Sequence, residues 1–136
     1  MDRVLIITNN PAVEAAFERH EFSDICMLSS QPDYLEVLLA TRSAIHQGKR
    51  LLMHPESGSV LPGTTPYRSL LLDNRILRLD MTSLEMIENA LARYYRFSAG
   101  ARLAEWPEKL HQDFQLIDFS LLRQALISGQ LEPVLI

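Results

Sequence analysis

The chain has 136 residues, of which 47% are hydrophobic and 22% are charged, and these proportions are ordinary for a globular protein. A chain of this length is expected to form one α/β domain over residues 1–136, with a core that needs no disulfide or metal to stabilise it. The net charge of −4 argues against general binding to nucleic acid, which requires a basic surface.

Cysteine content and the N-terminal residues bear on the cell compartment. The single cysteine, Cys26, lies in an apolar run and is expected to be a buried thiol rather than a metal ligand. The first residues lack the basic region and long apolar stretch of a secretory signal, and no apolar run approaches the length of a membrane span. The sequence therefore predicts a soluble, cytoplasmic protein that does not bind membranes.

The N-terminal residues have the pattern of a strand, a loop and a helix. Val4–Ile7 is a continuous apolar run, typical of a strand that is buried on both faces. Asn10 is a suitable N-cap and Pro11 a suitable first residue for the helix that follows. The polar residues Thr8, Asn9 and Asn10 are therefore expected at the carboxyl end of a strand, where α/β proteins bind ligands.

Strands and helices continue to alternate in the next part of the chain. A second strand is predicted over residues 24–28, and a helix over residues 32–47 that ends at Gly48. Two further apolar runs, residues 50–54 and 69–73, are predicted to be strands. This order favours a three-layer α/β domain with a small, mainly parallel four-stranded sheet flanked by helices.

Three helices are predicted in the C-terminal half. Thr82 and Glu85 have the spacing of a capping box, and the residues behind them carry a regular apolar stripe. A second helical stretch begins at Trp106 and ends near Phe114, and Asp118 is expected to cap a separate last helix. The apolar tail after that helix is expected either to pack on the domain or to contact a second subunit.

A long loop, residues 54–69, lies between the third and fourth predicted strands and contains three of the seven prolines. Because proline removes a backbone donor and fixes φ, this segment is neither a helix interior nor a central strand. Loops of this length within a domain are usually functional or disordered. The sequence leaves open whether the loop joins antiparallel strands as a wide hairpin or crosses over to a parallel strand.

The chemistry of this region favours an anionic ligand. Residues 41–70 contain four basic residues and one acid, so the window carries +3 in a chain of −4. Hydroxyls, arginine and the backbone amides of glycine are the groups that bind phosphate and carboxylate. The predicted ligand-binding residues, at the first strand end and in the loop, are Thr8, Asn9, Asn10, His54, Ser57, Gly58, Ser59, Thr65, Tyr67 and Arg68.

Other functions remain open. Ser57 or Ser59 could be the nucleophile of a hydrolase or transferase with His54 as the base, although the GxSxG motif is absent. A metal site made from His46, His54 and Glu56 lacks a recognised spacing, so we expect no metal and no cofactor. The apolar tail favours a third function, that of a protein-interaction module.

Two stretches are similar to a known family. The first runs from Val4 to Pro11, and the second consists of Leu51–Pro55, residues 57–60, Pro62 and Thr65–Ser69. On these residues the chain resembles the GrdX family, small proteins encoded beside glycine, sarcosine and betaine reductases. The resemblance implies an accessory or regulatory role near amino-acid reduction. We therefore expect a non-catalytic protein that binds a small anion or metabolite, either as a homodimer or with a protein partner.

Overall fold

A computed structural model describes residues 3–22, 24, 26–56, 65–98 and 107–127. The elements in these ranges are β1 (Val4–Thr8), α1 (Pro11–Glu18), β2 (Cys26–Ser30), α2 (Tyr34–His46), β3 (Arg50–Leu51), β4 (Ser69–Asp73), α3 (Met81–Ser98) and α4 (Glu108–Leu126). The strands form one open sheet in the order β2-β1-β4-β3. The predicted α/β class and the four strands are therefore confirmed for the described residues.

The sheet is mixed, and the prediction of a mainly parallel sheet is wrong. β1 and β2 are parallel, but β4 is antiparallel to both β1 and β3. A parallel neighbour requires a crossover connection, and α1 supplies it between β1 and β2. No helix lies between β3 and β4 in the described residues, and these strands pair directly. The long loop that joins them is therefore the connection of a wide hairpin.

Helices cover both faces of the sheet. Side chains alternate between the two faces along a strand, so neighbouring residues belong to different apolar clusters. The cluster on the α2–α3 face takes these strand residues: Leu5, Ile7, Leu51, Leu70 and Leu72. The cluster on the α1–α4 face takes these: Val4, Ile6, Cys26 and Leu71. The sheet is thus the middle layer of three, and Cys26 is buried as predicted.

Several element bounds differ from the sequence predictions. β2 lies two residues later than predicted, and β3 ends at Leu51 rather than at residue 54. The N-cap of α2 is Asp33, whose carboxylate accepts from the amide of Glu36 at 2.8 Å. The predicted helix start at Trp106 and the apolar tail, residues 131–136, lie outside the described residues.

α4 is one continuous helix, whereas the sequence predicts separate helices before and after Asp118. Asp118 is not a cap but a residue of the helix interior that is 4% exposed. Aspartate is a weak helix former because its side chain competes for backbone amides. Here the carboxylate instead accepts hydrogen bonds from other elements, and these contacts override the local preference.

α3 begins at a cap that differs from the predicted Thr82. The hydroxyl of Ser83 donates to Oδ2 of Asp80 at 2.6 Å, and the amide of Ser83 donates to the same atom at 3.0 Å. These two donors hold the pKa of the Asp80 carboxyl below its usual value of 3.8. The hydroxyl of Ser83 also accepts from the backbone N–H of Leu51 at 3.0 Å. The first turn of α3 therefore satisfies the outward backbone amide of β3 at Leu51.

Asp80→Ala is expected to lower the free energy of unfolding by about 1 kcal/mol at neutral pH, because α3 loses its N-cap. The pKa is lowered in the folded state, so this stabilisation is complete above 3.8 and is lost as the pH falls below that value. Urea unfolding of both proteins over a pH series measures the difference. A difference that stays constant through the acid range would contradict the assignment.

Candidate functional site

The loop after β1 and the segment that enters β4 meet at one edge of the sheet. Thr8 lies opposite Ser69 in the antiparallel register, and their hydroxyl oxygens are 2.7 Å apart. The side-chain amide of Asn9 donates to the carbonyl of Pro66 at 2.7 Å, and its Oδ1 accepts from the amide of Arg68 at 2.8 Å. Two parts of the predicted site are therefore adjacent, and we call this region the strand-end edge.

Asp118 connects the strand-end edge to α4. Its carboxylate accepts from the amide of Ser69 at 2.9 Å, from the hydroxyl of Ser69 at 2.6 Å and from Nδ2 of Asn10 at 3.0 Å. Since the one hydroxyl hydrogen of Ser69 goes to Asp118, Thr8 donates its own hydroxyl hydrogen to Ser69. The backbone N–H of Asn10 donates to Thr8 Oγ1 at 2.9 Å. The chain of donors thus ends at Asp118.

Thr8 and Asn10, which the sequence predicts to bind a ligand, are fully buried and bonded within the protein. Oδ1 of Asn10 accepts from the amide of Ala12 at 2.9 Å and caps α1, as predicted. Its Nδ2 donates to the carbonyl of Gln115 at 2.9 Å in addition to Asp118. Contact with a ligand would require these hydrogen bonds to break.

Tyr67 and Arg68 leave the strand-end edge on opposite faces, because successive residues of an extended chain alternate. Arg68 lies on the α2–α3 face, where its guanidinium carbon is 5.6 Å from the ring centroid of Tyr34. Tyr67 lies on the α1–α4 face, where its hydroxyl is 3.2 Å from Nδ1 of His111 and accepts from Nε2 of Gln115 at 3.1 Å. The pleat therefore separates two side chains that the sequence places in one site.

α4 supplies three side chains to this region that are not among the residues predicted to bind a ligand. His111, Gln115 and Asp118 are four and three residues apart, so they share one face of the helix. The ring of His111 is partly buried and contacts Tyr67. The spacing of the three polar residues was the available signal. This spacing indicates a shared face only when residues 108–126 are treated as one helix.

The basic residues of the window from 41 to 70 do not form a single patch. Arg50 of β3 lies opposite Asp73, at the end of β4 that is remote from Arg68. Arg42 lies on α2 and forms an ion pair with Glu88 of α3 at 3.4 Å. The expected local positive charge is dispersed, and Arg68 is the residue of this group that lies at the strand-end edge.

The other predicted site residues lie along the loop. His54 is exposed, and its Nδ1 accepts from the amide of Glu56 at 3.1 Å. The carboxylate of Glu56 pairs with the guanidinium of Arg93 on α3 and raises the pKa of that group. The hydroxyl of Thr65 is 3.4 Å from the carbonyl oxygen of Tyr67. Three predicted ligand-binding residues fall outside the described part of the chain: Ser57, Gly58 and Ser59.

Two features are absent from residues 3–22, 24, 26–56, 65–98 and 107–127. No group of three or more His, Cys, Asp and Glu side chains is arranged to hold a metal ion there. None of the helices in these ranges has the length and apolar character that crossing a membrane requires.

Comparison with known proteins places the chain in a family. No curated protein and no solved structure matches it. A family model described as GrdX-like protein matches residues 5–127, from β1 to the end of α4. The match therefore includes both strands of the strand-end edge and the helix that covers it, and the resemblance seen in the sequence is confirmed. The chain belongs to the GrdX-like protein family.

Proposed function

We propose that this protein binds a small anion through Arg68 and acts as a non-catalytic accessory or regulatory protein. One observation carries the proposal: Arg68 is 2% exposed and immediately precedes β4 at the strand-end edge. Arginine is among the residues that are least often buried to this extent, and the guanidinium carbon of Arg68 lies 5.6 Å from the ring centroid of Tyr34. Well-packed apolar residues often replace buried charges with no loss of stability. An arginine at this position is therefore better suited to recognition than to packing.

The surroundings of Arg68 hold it in one orientation. Its backbone is fixed by Asn9, which accepts from the amide of Arg68 at 2.8 Å and donates its own amide to the carbonyl at 3.4 Å. The ring of Tyr34 lies beside the guanidinium and is stacked on Tyr94, with centroids 5.5 Å apart. A planar guanidinium fork matches carboxylate and phosphate groups, and a pre-organised fork loses little entropy on binding them.

The non-catalytic part of the proposal is supported by the hydroxyl of Ser69 and by the family. The hydroxyl of Ser69 is buried and donates to Asp118, so it serves the network between β4 and α4. The predicted nucleophiles, Ser57 and Ser59, lie outside the described residues. The family resemblance implies an accessory role near amino-acid reduction. Carboxylate and phosphate are the two anion classes that we choose as probes, because a guanidinium fork matches both.

Replacing Arg68 by methionine is expected to abolish stabilisation by an anion while the protein stays folded. At an anion concentration of 100 Kd, linkage predicts about 2.7 kcal/mol of stabilisation, or roughly 5–10 °C in Tm. Differential scanning fluorimetry with sodium acetate or sodium phosphate, against sodium chloride of equal ionic strength, measures the shift. We expect one of the two probes to raise the Tm of the wild type saturably.

Arg42→Met is the matched control, because Arg42 lies on α2 and pairs with Glu88 away from the strand-end edge. This variant is expected to keep the full anion response. Arg68→Lys keeps the charge but loses the fork, and is expected to keep only part of it. A response in Arg68→Met equal to that of the wild type, or no response of the wild type to either probe, would refute the proposal.

A further inference from the structure

We propose that two copies of this chain associate through the outer edges of their β2 strands, joining two four-stranded sheets into one. β2 is a terminal strand in the order β2-β1-β4-β3 and pairs on its inner side with β1. The association is independent of Arg68, since β4 lies on the other side of β1.

The register of β1 and β2 fixes the direction of these groups. The amide of Gln31 donates to the carbonyl of Thr8 at 2.7 Å, so residue 31 and every second residue before it point towards β1. The backbone groups of Cys26, Leu28 and Ser30 therefore point away from the sheet. In the described ranges, no residue accepts from or donates to the outward backbone groups of Leu28 and Ser30.

The two edges of the sheet differ in their protection. Proteins usually shield an edge with a short strand, charge, proline or a covering element. β3 has two residues, and its outward amide at Leu51 is satisfied by Ser83 of α3. β2 has five residues, none of which is charged or proline, and Met27 is 44% exposed. The edge at β2 is thus a template for another strand.

A second copy of β2 matches this template. Antiparallel pairing about a twofold axis at Leu28 places that residue opposite Leu28 of the second copy, and Cys26 opposite Ser30 of the second copy. The pair of Leu28 residues exchanges two N–H···O bonds, so the outward groups of Leu28 are satisfied in both copies. The strand carries no charge, and like charges are therefore not brought together. Leu28 already packs partly on the α1–α4 face, and its counterpart extends that core.

The expected dimer is weak and reversible. Pairing along five residues buries less surface than the roughly 1,200–2,000 Å² of a stable interface, and places the contact among transient ones with Kd in about the micromolar range. Sedimentation velocity of the full chain from low to high micromolar concentration tests this. The mean mass is expected to rise from the 15.5 kDa of the monomer towards twice that value.

Ser30→Lys places a charge at an exposed position of the edge and is expected to raise Kd at least about tenfold. Ser120→Lys makes the same substitution at an exposed position of α4, and is expected to leave the mass profile of the wild type unchanged. Amide hydrogen exchange of the wild type gives a readout that needs no variant. Exchange at Leu28 should slow as the concentration rises.

Three results would overturn the proposal. The first is a mass of 15.5 kDa throughout the concentration range. The second is an association that is equally strong in Ser30→Lys and the wild type. The third is exchange at Leu28 that does not depend on concentration. These readouts do not involve an anion, so they fail or succeed separately from the proposed role of Arg68.

Discussion

Asp118→Ala is expected to lower the free energy of unfolding by about 3 kcal/mol, because it leaves buried donors without their acceptor. The donors are the amide and hydroxyl of Ser69 and Nδ2 of Asn10, at 2.6–3.0 Å from the carboxylate. Water cannot replace the carboxylate readily at a position that is 4% exposed. The loss is smaller than the sum of three separate penalties, since the donors share one network.

Urea unfolding followed by circular dichroism measures the effect of Asp118→Ala. Asp113→Ala is the matched control, because Asp113 is exposed on the same helix and its removal is expected to change stability by less than about 0.5 kcal/mol. Asp118→Asn keeps the volume and one acceptor oxygen, so its stability is expected to lie between the other two. A loss below about 1 kcal/mol for Asp118→Ala would show that the network does not hold α4 on the sheet.

Ser83→Ala is expected to lower the free energy of unfolding by about 2 kcal/mol. The hydroxyl of Ser83 is buried and accepts from the amide of Leu51, which loses its acceptor in the variant. The same hydroxyl donates to Asp80, so the cap of α3 is weakened as well. Through these two hydrogen bonds, Ser83 connects the edge strand β3 to the first turn of α3.

Thr82→Ala is the informative comparison, because the capping-box pattern of the sequence predicts Thr82, rather than Asp80, as the N-cap of α3. Thr82 is exposed within α3, and its substitution is expected to change stability by less than about 0.5 kcal/mol. The ratio of the two effects distinguishes the caps directly in the same unfolding assay. A larger loss for Thr82→Ala than for Ser83→Ala would contradict the assignment of Asp80 as the cap.

Features that depend on neighbouring residues could be predicted from the sequence. Asn10 and Pro11 begin α1 as expected, since a cap and a first helical proline act within one turn. The fourth strand has the predicted bounds, Ser69–Asp73, because a short apolar run between polar residues marks a buried strand. These predictions require no knowledge of the strand or helix against which the element packs.

Features that depend on distant residues could not be predicted. Asp118 resembles a cap locally, but its partners, Ser69 and Asn10, are 49 and 108 residues away. The direction of β4 depends on its pairing with β1 in the sheet. An apolar run in the sequence does not indicate whether the strand will be parallel or antiparallel to its neighbour. The predicted loop, residues 54–69, ends at Ser69, which lies opposite Thr8 at the strand-end edge. The side chains of Tyr67 and Arg68 nevertheless lie on opposite faces of the sheet, because successive residues of an extended chain alternate.

The most direct test of the account is a titration of the ¹⁵N-labelled wild type with acetate and with phosphate, followed by NMR. An anion site at Arg68 predicts saturable shifts of the Arg68 Nε–Hε signal and of the side-chain amide of Asn9, with little change at Arg42 Nε–Hε. The opposite result, with no saturable shift at Arg68 or equal shifts at Arg42, would contradict an anion site at the strand-end edge.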